Sequence, residues 1–222
     1  MKKLFTLFMA FIALTSYADA QVGTQKIVGD STGVAGQYIY RNRTLGTDKI
    51  HLLEDLVYVQ NGATLTILPG ALIKGSGKGT IIVARGGKIV ADGKKGQPIV
   101  FTSAKAVGAR TQGDWGGIII LGKAANNGTF NNVKGEMQIE GGVQDAYGSA
   151  IHGGGASPVA ADNSGTLRYV RIEYGGYQFS LNNEVNGLTM GSVGNGTIIE
   201  NVQCSFTNDD SFEWFGGTVN AK

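Results

Sequence analysis

The chain has 222 residues, 42% hydrophobic and 36 of them glycine, with a formal net charge of +2. So much glycine beside so much apolar character excludes a disordered linker and points to a folded, turn-dense β protein. The near-neutral charge, with no basic block, excludes tracking of a phosphate backbone, so nucleic acid is not an expected partner; the single Cys204 excludes an internal disulfide and a multi-cysteine metal centre.

Lys2 and Lys3 precede an apolar run from Leu4 to Leu14, then a short polar stretch and Ala18-Asp19-Ala20. These are the three regions of a secretory signal, so the chain is expected to be exported through the Sec pathway, with residues 1–20 removed by cleavage after Ala20. The run is too short to span a bilayer, which takes about 20 apolar residues, so no transmembrane span is expected. No cysteine lies near the cleavage point to carry a lipid, so a secreted or surface protein is expected rather than a lipoprotein.

Residues before about Leu45 lack a repeat pattern; residues 21–60 are expected to form an N-terminal segment and cap, with Ile50–Leu53 and Leu56–Val59 entering the first coil. From residue 61 to 222 the chain alternates short runs rich in Ile, Val, Thr and Leu with Gly, Asn, Asp and Lys. Strands are predicted at Ala63–Ile67, Thr80–Val83, Lys88–Ala91, Ile99–Thr102, Gly117–Leu121, Met137–Glu140, Leu167–Tyr174, Gly187–Met190, Thr197–Phe206 and Ser211–Phe215. Gly141–Gly165, rich in Gly, Ala and Ser, reads as an insertion loop projecting from one coil, and is the first expectation for a contact surface.

Self-comparison sharpens the reading. An offset of 24 lays Leu65 and Ile67 on Ile89 and Ala91, and Leu188 and Met190 on Phe212 and Trp214. An offset of 32 lays Leu167, Val170, Ile172 and Tyr174 on Ile199, Val202, Cys204 and Phe206. This repeat of apolar columns predicts an all-β, right-handed parallel β-helix with three short strands per coil. In such a solenoid Cys204 is a small buried hydrophobe. Gly217–Lys222 resembles Gly196–Asn201, so a further strand is expected to begin where the sequence stops and the β-helix is expected to be incomplete at its C-terminus.

The densest group of chemical side chains is Asn208-Asp209-Asp210-Ser211-Phe212-Glu213. Crowded carboxylates raise one another's proton affinity, as acid catalysis of glycoside cleavage requires, so Asp209, Asp210 and Glu213 are the catalytic candidates. Their oxygens with the Asn208 amide are also candidate Ca²⁺ ligands, although the spacing fits no EF-hand loop. The competing reading is a polar turn followed by a strand whose Phe212 and Trp214 point inward and whose Glu213 faces the other way. Arg168, Arg171 and Glu173 read as a solvated strand face, Trp115 as core, and His152 as exposed loop; two histidines, His51 and His152, do not make a zinc site.

Gly62-Ala63-Thr64-Leu65-Thr66-Ile67, Pro98-Ile99-Val100-Phe101-Thr102-Ser103, Gly113-Asp114-Trp115-Gly116-Gly117, Leu167-Arg168-Tyr169-Val170-Arg171-Ile172-Glu173-Tyr174 and Glu213-Trp214-Phe215-Gly216-Gly217 together resemble exported pectin-lyase-like β-helix proteins common in Bacteroidota, over roughly residues 55–222. The resemblance implies a secreted or outer-membrane surface protein. Polygalacturonases of this fold carry an Asp-Asp pair, then Gly-His-Gly, then Arg-Ile-Lys; here His152 and Arg171-Ile172 precede the Asp pair, so that catalytic order is absent. The expected function is therefore a non-enzymatic scaffold for adhesion or glycan contact, with polysaccharides or cell-surface glycans as partners. The alternative is a polysaccharide lyase or glycoside hydrolase.

Overall fold

The computed structural model describes residues 23–33, 36–140, 147–181 and 183–222. The expected signal segment 1–20 and part of the insertion lie outside the described residues. The described chain is built from strands without helices, in chain order. β1 (Thr24–Lys26), β2 (Ser31–Gly33), β3 (Gly36–Ile39) and β4 (Arg43–Leu45) lie at the N-terminal end. One coil follows as β5 (Ile50–Leu53), β6 (Leu56–Val59) and β7 (Thr64–Ile67), the next as β8 (Leu72–Gly75), β9 (Thr80–Val83) and β10 (Lys88–Asp92). The third begins with β11 (Ile99–Ser103) and β12 (Ile118–Leu121), then an insertion carries β13 (Thr129–Phe130), β14 (Val133–Lys134), β15 (Met137–Gln138) and β16 (Ile151–His152). The long β17 (Gly165–Glu173) closes that coil and opens another, which holds the hairpin β18 (Gln178–Ser180) and β19 (Asn183–Glu184), then β20 (Leu188–Gly191), β21 (Ile198–Ser205) and β22 (Phe212–Phe215).

Coil lies on coil through parallel ladders, which is the parallel β-helix the repeat predicts. Leu65 and Ile67 pair with Ile89 and Ala91; Val170 and Ile172 pair with Val202 and Cys204; Leu188 and Met190 pair with Phe212 and Trp214. Each coil presents three faces. β17 serves two of them, its start pairing with β10 and its end with β11. The corner between them is the single residue Tyr169, at φ 47°, and Asn201 repeats it at φ 53° one coil on. Left-handed backbone is uncommon outside glycine, and here the ladders on both sides enforce it. Tyr174 and Phe206, also at positive φ, mark the next corner and stack with ring centroids 5.1 Å apart.

Inside, one continuous apolar cluster runs from Ile39 and Leu53 through Ile81, Phe101 and Ile118 to Leu188 and Ile199. Trp115 belongs to it: the ring is fully buried, stacks on Phe101 at 6.2 Å, and its Nε1 donates to the Glu173 carbonyl at 2.7 Å. The wall opposite is Gly75, where an added Cβ would sit 2.6 Å from the ring. Gly75→Ala is therefore expected to cost about 1–3 kcal/mol through overpacking, read as a lower urea midpoint. The strand Leu72–Gly75 is not among the sequence-based expectations, because beside Ile73 its second inward position is this glycine.

The outer side of the sheet β2-β3-β6-β9-β12-β20-β22 departs from expectation. Its strands β6, β9, β12 and β20 are buried on both faces. A second apolar cluster, including Tyr58, Ile82, Ile119 and Leu121, meets Ile139 and Ala150 of the insertion and Phe179 and Val185 of the β18–β19 hairpin region. The described parts of the insertion thus lie back against this sheet rather than projecting from it, since consecutive apolar residues on a strand need cover on each side.

Candidate functional site

The outer face of that sheet carries a register column that changes character along the axis: Tyr38, Tyr58, Ile82, Ile119, Thr189, Glu213. Its N-terminal end is aromatic. Tyr38 stacks on Tyr58 at 5.1 Å and on Tyr40 at 6.2 Å, while Tyr147 of the insertion meets Tyr38 edge-on at 5.1 Å. Tyr38 and Tyr58 are buried; Tyr40 is 47% exposed and Tyr147 67% exposed. Gln60 donates to the Ser149 hydroxyl at 2.8 Å, tying the insertion to the sheet beside the rings. Asp30 accepts from the Tyr40 and Arg41 amides at 2.8 and 3.1 Å, so polar groups rim the aromatic corner.

The C-terminal end is acidic. Asn208, Asp209 and Asp210 are exposed on the turn before β22. The turn is fixed through its backbone: the Asp210 amide donates to the Asn186 side chain at 3.1 Å, and the Asp210 carbonyl accepts from Gly187 at 2.9 Å. Among the described residues no group of three His, Cys, Asp or Glu side chains is arranged to hold a metal ion. Glu213 is separated from the exposed pair, facing outward as alternation requires. There it takes a hydrogen bond from the Asn186 amide and meets Glu140, a residue of the insertion that the sequence did not single out. Burial, the hydrogen bond to Glu140 and the charges of Glu140 and Asp210 push the Glu213 carboxyl up to about 7, against the pull of Asn186. Phe212 is part-buried against the core and Trp214 stacks on it, inward as expected but still 47% exposed in this last layer.

Between these ends lies His152, and the expectation of an exposed loop is corrected. The ring is fully buried, lies over Gly191, and its Nδ1 is 2.9 Å from the Ser192 hydroxyl. Asn126 also donates to that hydroxyl, at 2.9 Å. Among the described residues the His152 Nε2 is buried without a hydrogen-bond partner. Burial and, secondarily, the Arg85 charge hold His152 down at about 4, so it is neutral near pH 7. Its flanking glycines suggested a loop because they give no sign of the face that covers it.

The face carrying Arg168, Arg171 and Glu173 is mixed. Arg168 bridges Asp92 and Glu200 across three strands at 2.7 and 3.0 Å. Glu173 is buried rather than solvated: it pairs with Arg171 and accepts from Thr102 at 3.0 Å, and Arg110 donates to Thr102 at 3.2 Å. Asp114 anchors the loop before Trp115. Burial alone would raise its carboxyl, but hydrogen bonds from Lys105, Ser103 and Thr111 outweigh it and hold the group at about 2. Cys204 is a part-buried member of the core whose thiol burial pushes up to about 12, which keeps it a thiol.

No helix among the described residues is long and apolar enough to cross a membrane. A family model described as a pectate-lyase like beta helix domain matches residues 36–222. Neither a curated protein nor a solved structure matches the chain.

Proposed function

The chain belongs to the pectate-lyase-like β-helix family, and from that premise we propose that it is an exported, non-enzymatic scaffold whose aromatic corner contacts extracellular glycan. The observation that carries this reading is the tyrosine stack. Two buried rings, Tyr38 and Tyr58, hold Tyr40 and Tyr147 with much of their surface in solvent. Rigid, amphipathic rings of this kind offer apolar area at low entropic cost, and the Asp30 and Arg41 groups beside them supply polar contacts for hydroxyls. Export is supported by residues 1–20 as a signal. Fold alone does not assign activity, so the argument rests on this corner.

The test is a glycan array with the mature protein, followed by titration of the strongest binder. Tyr147→Ala and Tyr40→Ala are each expected to weaken binding about tenfold, equivalent to about 1.4 kcal/mol. Binding unchanged in both variants, or no glycan retained, overturns the reading.

The raised Glu213 favours one second reading, a polysaccharide-cleaving enzyme with Glu213 as proton donor and Asp210 as its partner. A reducing-sugar and unsaturated-uronate assay decides it. Turnover abolished by Glu213→Gln and Asp210→Asn supports it, and turnover equal to the parent in both removes these residues from consideration.

A further inference from the structure

The insertion is seated on the outer sheet through one imidazole. Its own short ladder sets Met137 opposite His152 and Gln138 opposite Ile151, with the Ile139 amide donating to the Ala150 carbonyl at 2.9 Å. Ile139 and Ala150 are buried in one cluster with Ile119 and Leu121 of β12. Beside them the His152 ring takes the space over Gly191 of β20, where an added Cβ would come within 2.7 Å of it, and lies 6.3 Å from the Phe215 ring of β22. The neighbouring Gly153 amide donates to the Gly122 carbonyl at 2.9 Å.

The hydrogen bonds at this ring run in one direction. Asn126 Oδ1 accepts from the Gly128 amide at 2.9 Å, and its Nδ2 gives one hydrogen to the Gly135 carbonyl at 3.1 Å and the other to Ser192 Oγ at 2.9 Å. The Ser192 hydroxyl is left to donate its own hydrogen, which His152 Nδ1 accepts at 2.9 Å. The neutral imidazole therefore carries its hydrogen on Nε2, which has no acceptor among the described residues. An added proton can go only to Nδ1, where it meets the Ser192 hydrogen. Turning the hydroxyl lets its oxygen accept instead, but then the hydroxyl hydrogen and Nε2–H both lack acceptors around a buried charge.

No neighbouring charge offsets this. β12 (Ile118–Leu121) and β20 (Leu188–Gly191) carry no ionisable residue, and β15 presents Met137 and Gln138. β22 presents Phe215, and its Glu213 keeps a proton up to about 7, so it is neutral in acid. On the turn after β9, Arg85 is a cation that donates to the Gly153 carbonyl at 2.8 Å, and the Glu136 carboxylate is paired to it at 2.6 Å. Beyond β12, Asp162 accepts from the Lys123 amide at 3.0 Å.

We propose that His152 is an acid-released latch: protonation unseats the ring from Gly191 and lifts the β15–β16 ladder off the sheet, uncovering Ile119 and Leu121 while the solenoid beneath stays folded. The docked ring takes its proton only near 4, and a solvated one near 6.5, so between these values the undocked state binds more protons and acid favours it. Release is local because the ring belongs to the insertion, whereas β6, β9 and β12 are held by parallel ladders of their own. The latch is independent of the glycan reading.

Amide hydrogen exchange on the mature protein at about pH 7 and about pH 4, corrected for the intrinsic rates, tests it. Peptides spanning Met137–Ile139 and Ala150–Gly153 are expected to exchange about tenfold faster at the lower pH, while β6 and β9 peptides keep their protection. His152→Gln offers Ser192 an acceptor that does not titrate, so it is expected to abolish the pH response. An insertion equally protected at both values in the wild type overturns the proposal, as do a pH response that survives in folded His152→Gln and a loss of protection that spreads equally to β6 and β9. Should the variant not fold, an NMR titration of the wild-type His152 imidazole decides: charging at the pH where the insertion peptides lose protection supports the latch, and a charged ring under a still protected insertion overturns it.

Discussion

Replacing Trp115 with alanine is expected to destabilise the protein by about 3–5 kcal/mol, the largest single loss from any core position considered. The indole is fully buried, faces Phe101, fills the space left by Gly75 and donates to the Glu173 carbonyl. Truncation removes all of that together and opens a cavity among stacked layers that hydrogen bonds along the axis keep from collapsing. Trp115→Phe separates the contributions: it retains the stacking and loses only the indole hydrogen bond and part of the volume, for about 1–2 kcal/mol. Urea midpoints for the three proteins measure this, and a Trp115→Ala midpoint near wild type would show that the ring is not in the core.

The second large effect is a loss of stability on acidification that runs through His152. The unfolded imidazole takes up its proton near 6.5 and the folded one near 4, so between these values the unfolded chain binds more protons. Stability from this group is therefore present above pH 6.5, falls as pH drops, and is lost by pH 4, amounting to about 3 kcal/mol. Glu213 acts with the opposite sign. Its folded carboxyl holds a proton up to about 7 against 4.5 when unfolded, so its contribution is present below 4.5 and is lost as pH rises through 7. Asp114, held at about 2 from 3.8, contributes stability that is lost only below that window. The wild-type profile therefore mixes opposed slopes, and His152→Leu isolates one of them. The stability difference between wild type and His152→Leu is expected to shrink by about 3 kcal/mol from about pH 7 to about pH 4. A difference that stays constant across that range would mean that His152 is solvated.

The sequence made the interior legible because the inward columns are set by side-chain period and coil length alone. Val170 over Val202 and Ile172 over Cys204 follow from one offset, and so do Leu188 over Phe212 and Met190 over Trp214. It was less informative about what covers the outside. Ile81-Ile82-Val83 and Ile118-Ile119-Ile120-Leu121 are consecutive apolar runs, a signal for burial on two faces. The identity of the covering segment depends on a chain path that no local rule gives. For that reason Glu140 carries no local sign of its place and His152, flanked by glycine, reads as loop. The acidic triplet was half legible: alternation set Glu213 apart from Asp209 and Asp210, but its raised proton affinity comes first from burial and then from Glu140, far off in sequence.

The parallel ladders have a mechanical corollary. Their hydrogen bonds run along the axis of the solenoid, so a pull on the ends loads one layer at a time and peels coils off at modest force. A sideways push meets every layer of the filled interior together, so the rod is stiff against bending. The stretch of the outer sheet joined by the insertion differs, because contacts at β3 and at β22 tie distant layers together. A tether of this sort would appear in single-molecule pulling as one larger rupture among a series of small, even steps.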